Sequence, residues 1–336
     1  MAFNRETTNV LGWAYEAAAE TDPINAVNAL YWKPGVDASQ YSLPLETKKI
    51  TPYYDGSTRD PVALKINRTE VIQALSFWPT NAIPLYMYLG EASSAAGVHT
   101  ITGLDSGSLD TFTIRSENRG GDTSEYLSAV GSKCTSLAIS FDNTGQNLPL
   151  GMGLGYQGIK RQTATLNEIH TTGTKYPTDD YTMTGTENDD LYRYDSNLVF
   201  TWDHGGSAED YKDALLTFNY QGTNLFNVPQ LSNQAEIEYI HEGHRQHIVN
   251  FSIIRGQDSA LPDDIKAGTQ HDILFKIYNT STNYLQLVLD DSLGSLTKSK
   301  YFNANKEEVP TWLFEGMCES VTCTAKDGCS TTFYGL

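Results

Sequence analysis

The alternation of hydrophobic and small or polar residues is clearest between Ala129 and Gly158. There Leu137, Ile139 and Phe141 alternate with Ser136, Ala138 and Ser140, the two-residue period of a strand with one buried face. Asp142-Asn143-Thr144-Gly145 then supplies turn chemistry. A second run follows, in which Leu148, Leu150, Met152, Leu154 and Tyr156 share one parity and Pro149, Gly151, Gly153 and Gly155 the other. The pattern predicts a hairpin with one apolar face and one face of nearly bare backbone.

The C-terminus repeats the design. Val321, Cys323 and Ala325 alternate with Ser320, Thr322 and Thr324 before Lys326-Asp327-Gly328 turns the chain. At an offset of about 184 residues Cys134 falls on Cys318 and Ser136 on Ser320, each with a glycine upstream (Gly131, Gly316). Further upstream, Leu75-Ser76-Phe77 matches Phe251-Ser252-Ile253, and Phe112-Thr113-Ile114 matches Phe275-Lys276-Ile277. The offset drifts between matches, so the expected reading is an internal duplication whose copies carry different loop insertions.

Other elements follow from the same periods. Glu70 to Trp78 reads as a strand, Asn81 to Ala92 as a short helix with Asn81 as candidate cap, Pro84 in its first turn and Gly90 near its end, and Leu109 to Ser116 as a strand. Ser259 to Lys266 is the matching helix and Asp272 to Tyr278 the matching strand. Leu198, Phe200 and Trp202 alternate, as do Ala235, Ile237 and Tyr239 against Gln234, Glu236 and Glu238. Each copy thus reads strand, helix, strand, hairpin, a β-rich sandwich with one helix; a parallel-sheet enzyme needs many more helices. Between the copies, Lys160 to Asn197 is rich in Thr, Asp, Tyr and Gly. It reads as a linker or as an arm that orders against a neighbouring subunit.

Composition narrows the classes. A chain of 336 residues is long enough for two domains with cores of their own. Tyrosine (20) exceeds phenylalanine (12), which suits sheets with one wet face. The net charge of −18 argues against tight binding to a phosphate backbone, which needs clustered Lys and Arg. The opening MAFNRETTNV shows no secretory pattern, and the apolar run from Ala82 to Leu89 is too short to cross a bilayer, so no membrane insertion is expected. Cytoplasmic synthesis with reduced cysteines is the expectation.

Candidate chemistry is sparse. Gly153-Leu154-Gly155-Tyr156-Gln157-Gly158 satisfies G-x-G-x-x-G, but no amphipathic helix follows to hold a pyrophosphate, so a strand face closely approached by another backbone is expected. His241, His244 and His247 lack the i, i+4 spacing of a zinc protease; a loop could gather them around a metal, and solvated or buried histidines are the default. Cys318, Cys323 and Cys329 have no C-x-x-C spacing and read as small core residues. Asp179-Asp180 and Glu187-Asn188-Asp189-Asp190 read as solvated loop charge, without the calcium-loop pattern. Neither a G-x-S-x-G elbow nor a Walker loop is present. No catalytic, cofactor-binding or metal residue is assigned.

With these residues in view, the chain resembles a tail tube protein of long-tailed (siphovirus-type) bacteriophages and archaeal viruses, in the form that fuses two tube domains. The likeness lies in the opening FNRETTNVLGWAYEAA, the succession LSFWPTNAIPLYMYLGEA, HTIT and LDTFTIR, and the strand GSKCTSLAISFD. It is best over about the first 160 residues, weaker over 198–336 and absent from the linker. The resemblance implies a mainly β chain. Two tandem β-sandwich or half-barrel domains (1–160 and 198–336), each with one short helix, would flank the linker or arm (161–197) and give strands to an inter-subunit β-barrel. It implies a structural virion protein, not an enzyme, without cofactors. Three copies would form a pseudo-hexameric ring, and rings would stack into a hollow tail tube assembled in the host cytoplasm. Implied partners are the tape-measure protein, tail terminator or baseplate proteins, and DNA passing without specific binding. The other reading, from the many Tyr and Trp and the acidic loops, is a carbohydrate-binding or carbohydrate-cleaving sandwich in which Trp202 or Trp312 meets a glycan; an adhesin or capsid component is a third.

Overall fold

The computed structural model of the chain describes residues 8–16, 36–41, 45–54, 60–79, 82–105, 107–119, 125–144, 149–163, 192–193, 197–203, 208–227, 240–254, 265, 267–302 and 308–326. The expectations for Asn81, Asp179-Asp180, Glu187 to Asp190, Ala235, Ile237, Tyr239 and Cys329 lie outside these residues, as does most of 161–197.

The chain is mainly β and antiparallel. In order it forms β1 (Thr8–Tyr15), β2 (Val36–Tyr41), β3 (Leu45–Tyr53), β4 (Ala63–Trp78), α1 (Ile83–Leu89), β5 (Gly90–Ala95), β6 (Val98–Gly103), β7 (Phe112–Arg119), β8 (Glu125–Asp142), β9 (Gly151–Gly158) and β10 (Lys160–Thr163). There follow β11 (Val199–Asp203), β12 (Ala208–Asp210), β13 (Leu215–Asn227), β14 (His241–Ile254), β15 (His271–Tyr278), β16 (Tyr284–Phe302), β17 (Glu308–Cys318) and β18 (Ser320–Lys326). No helix among the described residues is long and apolar enough to cross a membrane.

Strand pairing follows the same plan twice. β1 pairs with β7 as β11 pairs with β15. β3 pairs with β4 and β4 with β9, as β13 pairs with β14 and β14 with β17. The long strands β8 and β16 each pair first with the preceding strand (β7, β15) and then with the following one (β9, β17). The short strands β10 and β18 return to the first halves of β8 and β16. These registers set Trp13 beside Ile114 where Trp202 lies beside Ile273, and Lys160 beside Val130 where Ser320 lies beside Asp290.

The registers also correct the residue matching. Leu75-Ser76-Phe77 and Phe251-Ser252-Ile253 hold equivalent places. Phe112-Thr113-Ile114 instead corresponds to His271-Asp272-Ile273, and Cys134 corresponds to Gly294 rather than Cys318. Ser136 corresponds to Ser295 on β16, whereas Ser320 opens β18. Alternation of small or hydroxyl residues occurs in β6, β8 and β16 as well as in β18, so parity alone cannot say which strand matches which.

A bulge lets one strand serve two sheets. Gly131 on β8 and Asp291 on β16 both adopt left-handed φ, 65° and 52°. The next residues, Ser132 and Ser292, are fully buried and donate their hydroxyls to Ala129 O (3.1 Å) and Leu289 O (3.4 Å). The amide freed at the bulge finds a carboxylate in each case: Gly131 N donates to Glu16 Oε1 (2.9 Å), and Asp291 N to Asp272 Oδ1 (3.1 Å). A register break with satisfied donors bends the strand and raises its twist.

α1 is shorter than the expected Asn81 to Ala92. Its cap residue is Ala82, Pro84 sits in its first turn, and Gly90 ends it in the left-handed region at φ 97°. β5 begins there, so Glu91 and Ala92 are strand. All seven helical residues are buried, as expected of a helix apolar on every side. From the expected second helix, 259–266, only Ile265 is described; it is helical and buried.

One core runs through both halves. Phe141 of β8 lies 5.5 Å from Phe275 of β15, which stacks on Phe218 of β13 at 4.3 Å, and Trp202 meets Phe251 edge-on at 4.8 Å. Such pairs add about 0.5–1.5 kcal/mol each beyond the area they bury.

Candidate assembly interface

The two strand patterns meet along β8 and β13. Asp142 lies opposite Thr217 and Ser136 opposite Thr223, so β13 continues the sheet that β8 would otherwise end. A second seam joins β6 to β18, with Ile101 opposite Cys323. The result is an eight-stranded sheet in the order β3-β4-β9-β8-β13-β14-β17-β16, four strands from each pattern.

Polar side chains lock the β8–β13 joint. The Lys133 ammonium, 6% exposed, pairs with the Glu242 carboxylate and donates to Ser108 Oγ (2.6 Å) and Ile240 O (3.3 Å). The same carboxylate accepts from Leu109 N (3.0 Å) and Ser108 Oγ (3.1 Å). Burial raises the Glu242 carboxyl, but Lys133 and these hydrogen bonds outweigh it and hold it below the ordinary carboxylate value. Asn224 donates to Cys134 O (2.9 Å) and Tyr88 O (3.2 Å), and Arg245 to Leu104 O (3.0 Å). Apart from Lys133 to Ser108, each contact ties the first half of the chain to the second.

Behind them lies a buried histidine. His247 Nδ1 is 2.8 Å from the Tyr220 hydroxyl and 3.5 Å from that of Tyr88. Burial, and secondarily the Arg245 guanidinium, bring its imidazole down to about 4. The neighbouring thiols go the other way: burial raises Cys134 and pushes Cys318 up to about 12. Protonated thiols without solvent access are poor nucleophiles.

The residues singled out in the sequence are placed as follows. Gly153 to Gly158 lie within β9, between β8 and β4, and β10 follows them directly. The bare parity is crowded by side-chain hydroxyls of β8 and not, as expected, by another backbone: a Cβ at Gly155 would lie 2.5 Å from Ser136 Oγ and one at Gly151 2.5 Å from Ser140 Oγ. The three histidines share β14, with His247 buried and His244 exposed, and no metal-holding group of three side chains occurs among the described residues. Cys318 and Cys323 are buried core residues. Trp202 and Trp312 are also buried, so neither ring is presented to a glycan. Lys133 and Glu242, which hold the joint, stand 109 residues apart and carry no local signal.

Two long edges of the eight-stranded sheet have no strand beside them among the described residues. At one end β3 pairs only with β4, and at the other the second half of β16 pairs only with β17. These edges are the counterparts of β13 and β8, the strands that pair with each other inside the chain. An open edge of this length recruits another strand unless it is covered.

The outward face of the same sheet is nearly uncharged. From the row Ala74-Gly155-Ser136-Thr223-Gln246 to the row Asp142-Thr217-Ser252-Leu313-Thr297, its paired positions are, two carboxylates apart, hydroxyl, amide, small or apolar residues. Asp142 and Glu315 are its charged members, and among the described residues between these rows it carries no Lys or Arg. Lys133, at its margin, is buried in the joint. No protein-family model matches this sequence, and no curated protein matches it.

Proposed function

We propose that this chain is a structural subunit of a hollow tube that conducts nucleic acid, the tail tube of a long-tailed virus. The observation that carries the reading is the strand pattern occurring twice, joined through one pair of edges and ending on the counterparts of that same pair. Identical head-to-tail contacts close into rings when the rotation allows, and closure removes every open edge. In this reading the halves 1–160 and 198–336 act as tandem half-barrel domains, three chains make a pseudo-hexameric ring, and rings stack. The tape-measure protein would occupy the bore during assembly, and terminator or baseplate proteins would meet its ends.

The sheet face supports a conduit. Phosphate backbones bind through Lys and Arg with release of counterions. A wall with two carboxylates and no described cation gives DNA nothing to hold. The acidity of the chain lies mainly away from this face, so sliding depends on missing cations more than on a strongly negative lining.

Electron microscopy of the purified protein tests the reading. Hollow tubes or rings with a central bore are expected, whereas a dispersed monomer at millimolar concentration would overturn it.

A further inference from the structure

We propose that the β8–β13 joint carries an acid release at one end. Protonation of His247 and Glu242 unzips the two strands from the Lys133–Glu242 contact inward and uncovers Tyr88 of α1, while the other end stays closed. The release belongs to the single chain, whether or not copies associate.

The two ends of the joint differ in kind. Near the pair Asp142–Thr217, aromatic rings span it: Phe218 of β13 stacks on Phe275 at 4.3 Å, and Phe141 of β8 lies 5.5 Å from the same ring. The titratable group there, Asp142, is exposed, and its carboxylate is engaged within its own turn by Thr144 N (2.7 Å) and Thr144 Oγ1 (2.5 Å). Acid therefore removes nothing that crosses this end.

Near the pair Ser136–Thr223 the contacts are polar. α1 packs on β5, β6 and β8 of its own half, and β13 closes over it from the other. Gly222 of β13 passes so near that a Cβ there would lie 2.3 Å from the Tyr88 hydroxyl, and Asn224 donates to Tyr88 O. The Tyr88 and Tyr220 hydroxyls both reach His247 Nδ1. His247 thus faces Tyr88 from α1, Tyr220 from β13, Cys318 from β17 and Arg245 on its own strand, and none of these is a carboxylate. Lys133 and Glu242 complete the same end. At neutral pH it holds two cations, one carboxylate and a neutral imidazole; in acid it holds three cations and no anion. Like charges held together away from water are costly, and parting the strands admits the water that relieves them.

Amide hydrogen exchange in the full chain, corrected for the intrinsic pH dependence of exchange, tests this. The His247 imidazole lies near 4 in the closed joint against an ordinary 6.5, so opening takes up a proton between those values. From pH 7 to 4.5, protection at 133–136 and 220–225 should fall about a hundredfold, while 140–142 and 215–218 hold theirs. Below 4.5 protonation of Glu242 should add a second, steeper fall. In His247→Gln the first fall should vanish. Equal loss at both ends, or none at either, overturns the release, and a first fall that persists in His247→Gln overturns the assignment to His247. Should that variant fail to fold, NMR titration of the wild-type imidazole decides: a His247 that titrates near 6.5 while the joint stays closed overturns the proposal.

Discussion

Gly131 and Asp291 occupy equivalent bulges in β8 and β16, yet only the first is the residue that left-handed backbone favours. Asp291 at φ 52° carries strain, and its exposed side chain leaves room for change. Asp291→Gly should therefore raise stability by up to ~1 kcal/mol, seen as a higher midpoint in urea. Gly131→Ala should lower it by ~1–3 kcal/mol, because the new Cβ would also lie 2.8 Å from Ile159 Cδ1.

Removing Lys133 alone leaves the partly buried Glu242 carboxylate with its hydrogen bonds from Ser108 and Leu109 but without its cation. Because Glu242 keeps 23% of its side chain exposed, Lys133→Met should cost ~1–3 kcal/mol, below the full penalty of a deeply buried pair. The double variant Lys133→Met with Glu242→Leu should lose less than the two single losses together, a coupling that a double-mutant cycle in urea reads directly. The folded carboxyl lies below its ordinary value of 4.5. Its contribution is thus complete above that pH and fades as pH falls through the folded value.

His247 gives a second, separate acid response. Its imidazole lies near 4 when folded and near 6.5 when unfolded, so between those values the unfolded chain binds the extra proton. Stability should fall as pH is lowered from about 6.5 to about 4. The melting temperature of His247→Gln, measured across that window, should show a flatter slope even if its value at pH 7 is lower.

Cys134, Cys318 and Cys323 are all buried, and burial raises each thiol above its ordinary value. Mass-spectrometric mapping with a maleimide should find these three unlabelled in the native protein and labelled in urea. Fast native labelling at Cys323 would mean that the β6–β18 seam opens readily.

Much of the fold was legible where one face of a strand is buried. The alternation in Leu137-Ile139-Phe141, in Phe200-Trp202 and in Val321-Cys323-Ala325 marks inward residues, and all eight are buried. The match of Leu75 to Phe251 was legible too, because both patterns keep large inward residues there. The pairing of Cys134 with Cys318 was not, since β8 runs through a bulge into a second sheet and a local window sees one strand, not its two partners. The joint itself escaped sequence reading: a lone lysine and a lone glutamate look like solvated charge until the strands carrying them are brought together. The short helix was legible in its Pro84 start and Gly90 end, but not in the strand that begins at once, because small residues such as Ala92 serve a strand as readily as a helix.

The seam between β6 and β18 has a consequence for synthesis. Ile101 leaves the ribosome more than 200 residues before Cys323, its partner in the finished sheet. At typical elongation rates of about 5–20 residues per second, β6 waits on the order of ten seconds or longer, with one side of its backbone unsatisfied and the edge of β8 also open until β13 emerges. A nascent chain in this state carries two open strand edges, which favours wrong pairing with its polysome neighbours.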